Sequence, residues 1–335
     1  MAEEVDRDQL LQGAAQQAMK WQFRTWGFGE SIALRGLLAA SHRLDEREFL
    51  GFARGLVAGW LHRAARPSFE DHAAPGLELL LLYALTGEQD YLTAASHLAK
   101  LALHFPRGAS GIRLHRPDLA GWSSQIWVDC LHIDPPFLAE FGLLTGESIW
   151  LDEAEDMLRR YAQLLQDEVT GLFWHGHEEH TGRNGRIWAR GNGWALLGLV
   201  ETVPTLERAG RDTRNIRSVL LRLARGLDSF QAPSGLWHTV INAPETYEES
   251  TLAVMVAYAF SRAFRSGLLP RTEFASCARR AESAALKLVD RTGRLDSVSA
   301  ATPIGDSQNY ATRPFGIFPW GQGPLLLLLA EESGL

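Results

Sequence analysis

The tightest constraint on how this chain can fold is a repeat of paired helices. Residues 82–103, LYALTGEQDYLTAASHLAKLAL, and 140–161, EFGLLTGESIWLDEAEDMLRRY, share a Leu-Thr-Gly-Glu step at 85–88 and 144–147, an offset of 59. In each, a mostly apolar segment runs into the step and an amphipathic segment follows. Glycine just past a final turn stops a helix, because it enters the left-handed conformation at little cost. A third apolar helix, GWALLGLVETVP (193–204), reaches Thr202 about 57 residues after Thr145, and a fourth, containing AYAFSRAF, ends about 60 residues later. At that period 335 residues hold about six helical hairpins.

The two helices of a hairpin differ in kind. Residues 76–87, 135–146 and 252–264 are apolar over most of their circumference, whereas 150–167 and 211–230 are amphipathic. Alternating strands are scarce, and GLWHTVI (235–241) is the best short candidate. Apolar inner helices backed by amphipathic outer ones predict an all-α (α/α)6 barrel, a closed ring of six hairpins. No linker interrupts it, so one catalytic domain is expected over 1–335, with 1–15 as a frayed N-terminal lead. Loops at one end of the inner helices would then form a cavity.

Charge and composition exclude several partners. The net charge is −7 and no basic run occurs, which argues against nucleic acid. The longest apolar run, PLLLLLA at 324–330, is far short of the roughly 20 residues a membrane helix needs. The opening MAEEVDRDQLLQG lacks the basic and apolar regions of a secretion signal. Two cysteines, Cys130 and Cys277, make no disulfide framework and fit a reducing, cytoplasmic location. Eleven tryptophans exceed core needs, and flat indoles are frequent platforms for sugar rings.

Chemistry-bearing residues gather ahead of the inner helices. Asp129 follows Ile126, Trp127 and Val128 and precedes Leu131; partial desolvation there would raise its pKa toward the range useful for acid–base work. Asp71 precedes Pro75 and another apolar helix. Each is equally readable as a helix cap, but two carboxylates opening successive inner helices would converge on the ring axis. The segment HGHEEH (175–180) matches no strong zinc signature, so neither metal nor other cofactor is expected. Cys130 reads as a buried thiol. In WARGNGW (188–194), a helix start explains the backbone but not Arg190 and Asn192. An arginine fork between Trp188 and Trp194 suits the carboxylate of an acidic sugar, with the glycines leaving room for the ring. The tail 305–323 is dense in glycine, aromatic and polar residues.

Together, QIWVDCLHIDPPFLAEFGLLTG (125–146), GLFWHGHEE (171–179), WARGNGWALLGLVETVP (188–204), GLWHTVINAPETYEESTLAVMVAYAF (235–260) and GQGPLLLLLA (321–330) resemble the unsaturated rhamnogalacturonyl hydrolases, glycoside hydrolase family 105, related to family 88. The resemblance runs from about residue 21 to the end. It implies an (α/α)6 barrel that acts on acidic oligosaccharides left by pectin or rhamnogalacturonan lyases. The reaction hydrates the C4=C5 double bond of the terminal uronate. By the same resemblance Asp129 is the proton donor and water-activating base, with Asp71 the second aspartate. His175, Trp188, Arg190, Trp194 and Trp127 are substrate contacts, and His115 and Phe28 are looser ones; Asn192 joins them from the reading of WARGNGW. The family's H-G-W-D-E stands here as HGHEE, with His177 and Glu178 replacing a Trp and an Asp, and Asp134 stands where an apolar or small residue is expected. Three alternatives stay open: an unsaturated glucuronyl hydrolase, with Arg183, Arg186 and Arg313 serving sulfated substrates; an (α/α)6 epimerase; and a non-catalytic sugar-binding toroid.

Overall fold

A computed structural model describes residues 6–23, 27–62 and 69–331. Helices dominate: α1 (Arg7–Met19), α2 (Phe28–Leu44), α3 (Arg47–His62), α4 (Gly76–Thr86), α5 (Gln89–Leu103), α6 (Asp134–Thr145), α7 (Ser148–Leu165), α8 (Ala189–Arg208), α9 (Arg214–Ser229), α10 (Thr251–Arg265), α11 (Arg271–Leu286), α12 (Ser307–Ala311) and α13 (Pro319–Ala330). Helices α2, α4, α6, α8, α10 and α13 pack side by side in that order, and α13 returns against α2 to close a ring. Helices α3, α5, α7, α9 and α11 back their partners from outside, and α1 backs α13. The expected six-hairpin toroid is present.

The sequence dictates the two layers. Helix α10 buries all of its residues but Arg262, Phe264 and Arg265, and α13 carries five leucines, 325–329, each at most 4% exposed. A buried leucine contributes roughly 2 kcal/mol, so inner helices hold the ring from both flanks. Outer α9 buries only one face, through Ile216, Val219, Leu220, Leu223 and Leu227. Gly87 and Gly146 end α4 and α6 with φ of 73° and 75°, as the repeated step predicts. The frayed lead expected over 1–15 is corrected. Residues 7–15 lie in α1, where Leu11, Ala14, Ala15 and Ala18 are buried at helical spacing.

Short strands precede inner helices and mark one mouth of the ring. Strands β1 (Gln125–Trp127), β2 (Gly176–Glu178) and β3 (Gly182–Arg183) form an antiparallel sheet in that order, with Trp127 opposite Gly176. Strand β4 (Trp237–His238), inside the segment expected to be extended, pairs with β5 (Glu248–Glu249), and β6 (Val298–Ser299) pairs with β7 (Phe315–Gly316). Between the mouths lies a buried polar layer in which Arg35 meets Glu201 at 2.5 Å and His132 at 3.3 Å.

Candidate active site

A cavity of about 240 Å³ opens at the strand-bearing mouth. Among the described residues five tryptophans line it, Trp122, Trp127, Trp188, Trp194 and Trp320, together with Asp129, His115 and Arg190. A larger cavity of about 1060 Å³ occupies the opposite mouth. Its lining is rich in leucine and its charges are paired, Arg35 with Glu201 and Arg262 with Glu331. The aromatic walls and the acid therefore single out the smaller cavity.

Asp129 is delivered by a turn held on both sides. The 3-10 turn Val128–His132 follows β1, and its first amide, on Val128, donates to the His175 carbonyl at 2.9 Å. The turn rests on α8, where a side chain at Gly191 would meet Val128 at 2.8 Å and one at Gly198 would meet the Leu131 carbonyl at 2.0 Å. Asp129 is 2% exposed, yet its Oδ2 makes no hydrogen bond within the protein among the described residues. His175 Nε2 approaches that oxygen to 3.4 Å. Burial, opposed by the nearby Asp129 carboxylate, lowers the His175 pKa. His175 Nδ1 contacts the Tyr310 hydroxyl, which also accepts a hydrogen bond from Asn184.

The walls are stacked aromatics. Trp127 lies 4.2 Å from the His115 ring and 4.9 Å from Trp122, and Trp194 stacks on His132 at 4.7 Å. Trp188 packs against His175 at 4.3 Å and under the Arg190 guanidinium at 4.5 Å. Its indole nitrogen has no hydrogen-bond partner among the described residues.

Several expected contacts have other employment. Asn192 is fully buried and does not line the cavity; its Oδ1 accepts from Phe173 N at 2.7 Å and its Nδ2 donates to the Phe173 and Trp188 carbonyls at 2.9 Å. The expected sugar contact is corrected to a brace for the loop before β2. Gly191 and Gly193 leave room for protein, not sugar, since a side chain at Gly193 would meet Met255 Sδ at 2.3 Å. Gly176 likewise lets Ile304 approach. His175 stands behind Asp129 and is absent from the lining. Arg190 lines the cavity, but its Nη1 donates to the Ser299 carbonyl at 3.0 Å and its Nη2 to the Ala300 carbonyl at 2.9 Å. Glu249, fully buried, lies 3.4 Å away as its counter-charge.

Asp71 is 7% exposed and lies outside the lining, next to His72, whose ring stacks on His115 at 5.5 Å. The Phe28 side chain lies outside the described residues, although its backbone begins α2. His177 pairs with Arg183 across β2 and β3, and Glu178 accepts from Ser124 and the amides of His180 and Thr181. The HGHEE departure therefore builds the central strand of the sheet.

The sequence reading missed Trp320, Thr302, Glu30 and Tyr310. Glu30 and Thr302 line the cavity, as does Trp320, which stacks on Phe318 at 4.7 Å. The aromatic density of 305–323 was the available signal for Trp320 and Tyr310.

Residues 2–333 match the model of a family described as Glycosyl Hydrolase Family 88. The chain is 28% identical over 313 residues to the unsaturated rhamnogalacturonyl hydrolase YesR of Bacillus subtilis (strain 168), covering 91% of this chain and 89% of that one. A structure described as a possible member of the GH105 family, from Salmonella enterica subsp. enterica serovar Paratyphi A, matches with a TM-score of 0.89 at 24% identity, over 98% of this chain and 95% of that one. The unsaturated glucuronyl hydrolase of Bacillus sp. GL1, responsible for the degradation of glycosaminoglycan, gives a TM-score of 0.77 at 16% identity, over 96% and 94%. At such identities the two structures speak to the fold alone.

Proposed function

The chain belongs to glycosyl hydrolase family 88, and from that premise we propose that it removes the 4,5-unsaturated uronate from the non-reducing end of oligosaccharides produced by rhamnogalacturonan and pectin lyases. One observation carries this reading: a buried carboxylate, Asp129, lines a tryptophan-walled cavity, with His175 Nε2 3.4 Å from its Oδ2. The named activity of the Bacillus subtilis relative supports the substrate class.

The substrate is an enol ether, so its chemistry differs from attack at an anomeric carbon. Asp129 in its acid form gives a proton to C4. The C5 cation that forms is stabilised by the ring oxygen. Asp129, now a carboxylate, takes a proton from water as that water adds to C5. The product is a hemiketal; it opens to a C5 ketone, and the hemiacetal left at C1 expels the neighbouring sugar. One water is consumed and one glycosidic bond is broken.

His175 positions Asp129, and the Trp127 and Trp188 rings offer faces for the sugar. Arg190 acts as a fixed positive charge in the wall, its Nη atoms already engaged by the protein. It favours the uronate carboxylate by Coulomb attraction in a desolvated setting and not as a two-pronged clamp. Asp71 enters as the second carboxylate, supported by its place beside His72, one ring from His115. Both cysteines are unpaired thiols, which supports a cytoplasmic site of action. No helix among the described residues is long and apolar enough to cross a membrane.

The test uses the ultraviolet absorbance of the conjugated uronate. Purified protein should remove it from lyase-digested rhamnogalacturonan. Loss only on chondroitin or heparin digests would move the substrate class to glycosaminoglycans. Unchanged absorbance on all of them would falsify the hydrolase reading.

A further inference from the structure

Behind the cavity wall three side chains from three separate segments converge. His72 comes from the turn after Asp71, His115 from the loop between α5 and β1, and Cys130 from the turn that carries Asp129. His72 Nε2 lies 3.1 Å from Cys130 Sγ and 3.3 Å from His115 Nδ1, and the third edge, Sγ to His115 Nδ1, is 3.8 Å. All three residues are at most 2% exposed. Among the described residues this is the one group of three or more His, Cys, Asp or Glu side chains placed to hold a metal ion.

The triangle has the dimensions of a tetrahedral coordination face. Zinc–nitrogen bonds of about 2.0–2.1 Å and a zinc–sulfur bond of about 2.3 Å put N···N near 3.3 Å and N···S near 3.5 Å. The observed edges match to within about 0.4 Å, a difference that small side-chain rotations absorb.

An outer layer is built as well. The far nitrogen of His72, Nδ1, donates to Asp134 Oδ2 at 3.2 Å. Asp134 in turn accepts from the Ala73 amide and from Arg113 Nη1, both at 3.0 Å. A carboxylate on the far nitrogen fixes the tautomer that presents the near nitrogen as a lone pair, the arrangement that stands behind metal-bound histidines. This accounts for Asp134, a fully buried charge where the sequence leads one to expect an apolar or small residue.

We propose that His72, His115 and Cys130 bind one divalent ion of the zinc class. Sulfur and imidazole donors select zinc over magnesium or calcium, and three protein ligands leave a fourth position for water. Binding releases the thiol proton as the metal–sulfur bond forms. The ion is a staple: it ties the turn of Asp129 to the turn of Asp71, and His115, stacked on Trp127, carries that rigidity into the cavity wall.

The full chain is loaded with one equivalent of zinc, dialysed, and its metal measured by mass spectrometry. A parallel cobalt-loaded sample is read for sulfur-to-cobalt charge transfer. The expected result is one ion per chain, a charge-transfer band and a melting temperature raised by several degrees. Cys130→Ser should abolish the band, and His115→Gln should weaken affinity at least tenfold. A chain that takes up no zinc, or holds it equally well in both variants, overturns the proposal. Should Cys130→Ser fail to fold, His115→Gln and the wild-type cobalt spectrum decide the matter. No readout here depends on turnover, so failure of this site and failure of the hydrolase reading are distinguishable.

Discussion

Asp129→Asn keeps the shape of the side chain and removes its proton. We expect kcat to fall by about 10²–10⁴-fold while KM changes little, followed by decay of the uronate chromophore; a fall below tenfold would place the acid elsewhere. Asn192→Ala should behave oppositely. It strands the buried Phe173 amide and carbonyl, at a cost of roughly 1–3 kcal/mol, so urea unfolding should shift while KM stays constant. The reason lies in helix geometry. With α8 starting at Ala189, a residue two positions on from Arg190 points about 200° away from it, whereas Trp194, four positions on, shares its face. Proximity in WARGNGW was legible in the sequence, but direction was not until the helix start was known. Asp129 and the tryptophans were legible because desolvated acids and surplus indoles are costly unless used. His72 was invisible, since nothing local ties it to residues 43 and 58 positions away.

At the scale of elements, the placement of Asp129 depends on how closely a turn can approach a helix. A methyl group at Gly198 would sit 2.0 Å from the Leu131 carbonyl oxygen, so either α8 or the turn must shift. Gly198→Ala should cost about 1–3 kcal/mol through overpacking and lower kcat, because the displaced turn carries the acid. A crystal structure of the variant with Asp129 unmoved would sink that account. The hairpins themselves were readable, since glycine stops and a change of amphipathicity are local signals. The pairing of α1 with α13 was not. The buried spacing Leu11, Ala14, Ala15, Ala18 was present in the sequence, but alanines among polar residues advertise no face until a partner is known.

For the molecule as a whole, the polar layer between the mouths makes stability depend on pH. Burial, opposed by Arg35, lifts Glu78 from an ordinary 4.5 to about 7. The unfolded chain gives up this proton first, so the contribution falls as pH rises from about 4.5 to 7 and is level above. Glu78→Gln should remove that slope and stabilise the protein near pH 8 by roughly 1–3 kcal/mol; thermal melts across the range, compared with wild type, check it. An unchanged slope would assign the dependence to other groups.

The sixth hairpin joins the two ends of the described chain. Arg7 in α1 donates to the Leu329 carbonyl at 3.2 Å, and Gln322 in α13 donates to the Gly293 carbonyl at 2.9 Å and more distantly to Ala14. Helix α1 therefore waits for α13. While residues before 319 are emerging from the ribosome, five hairpins stand as an open arc, with the flanks of α2 and α10 that α13 will cover still facing water. Closure is thus a timing device. The ring is completed in a single late step, and a nascent chain arrested short of α13 carries the exposed apolar edges that folding helpers and proteases recognise.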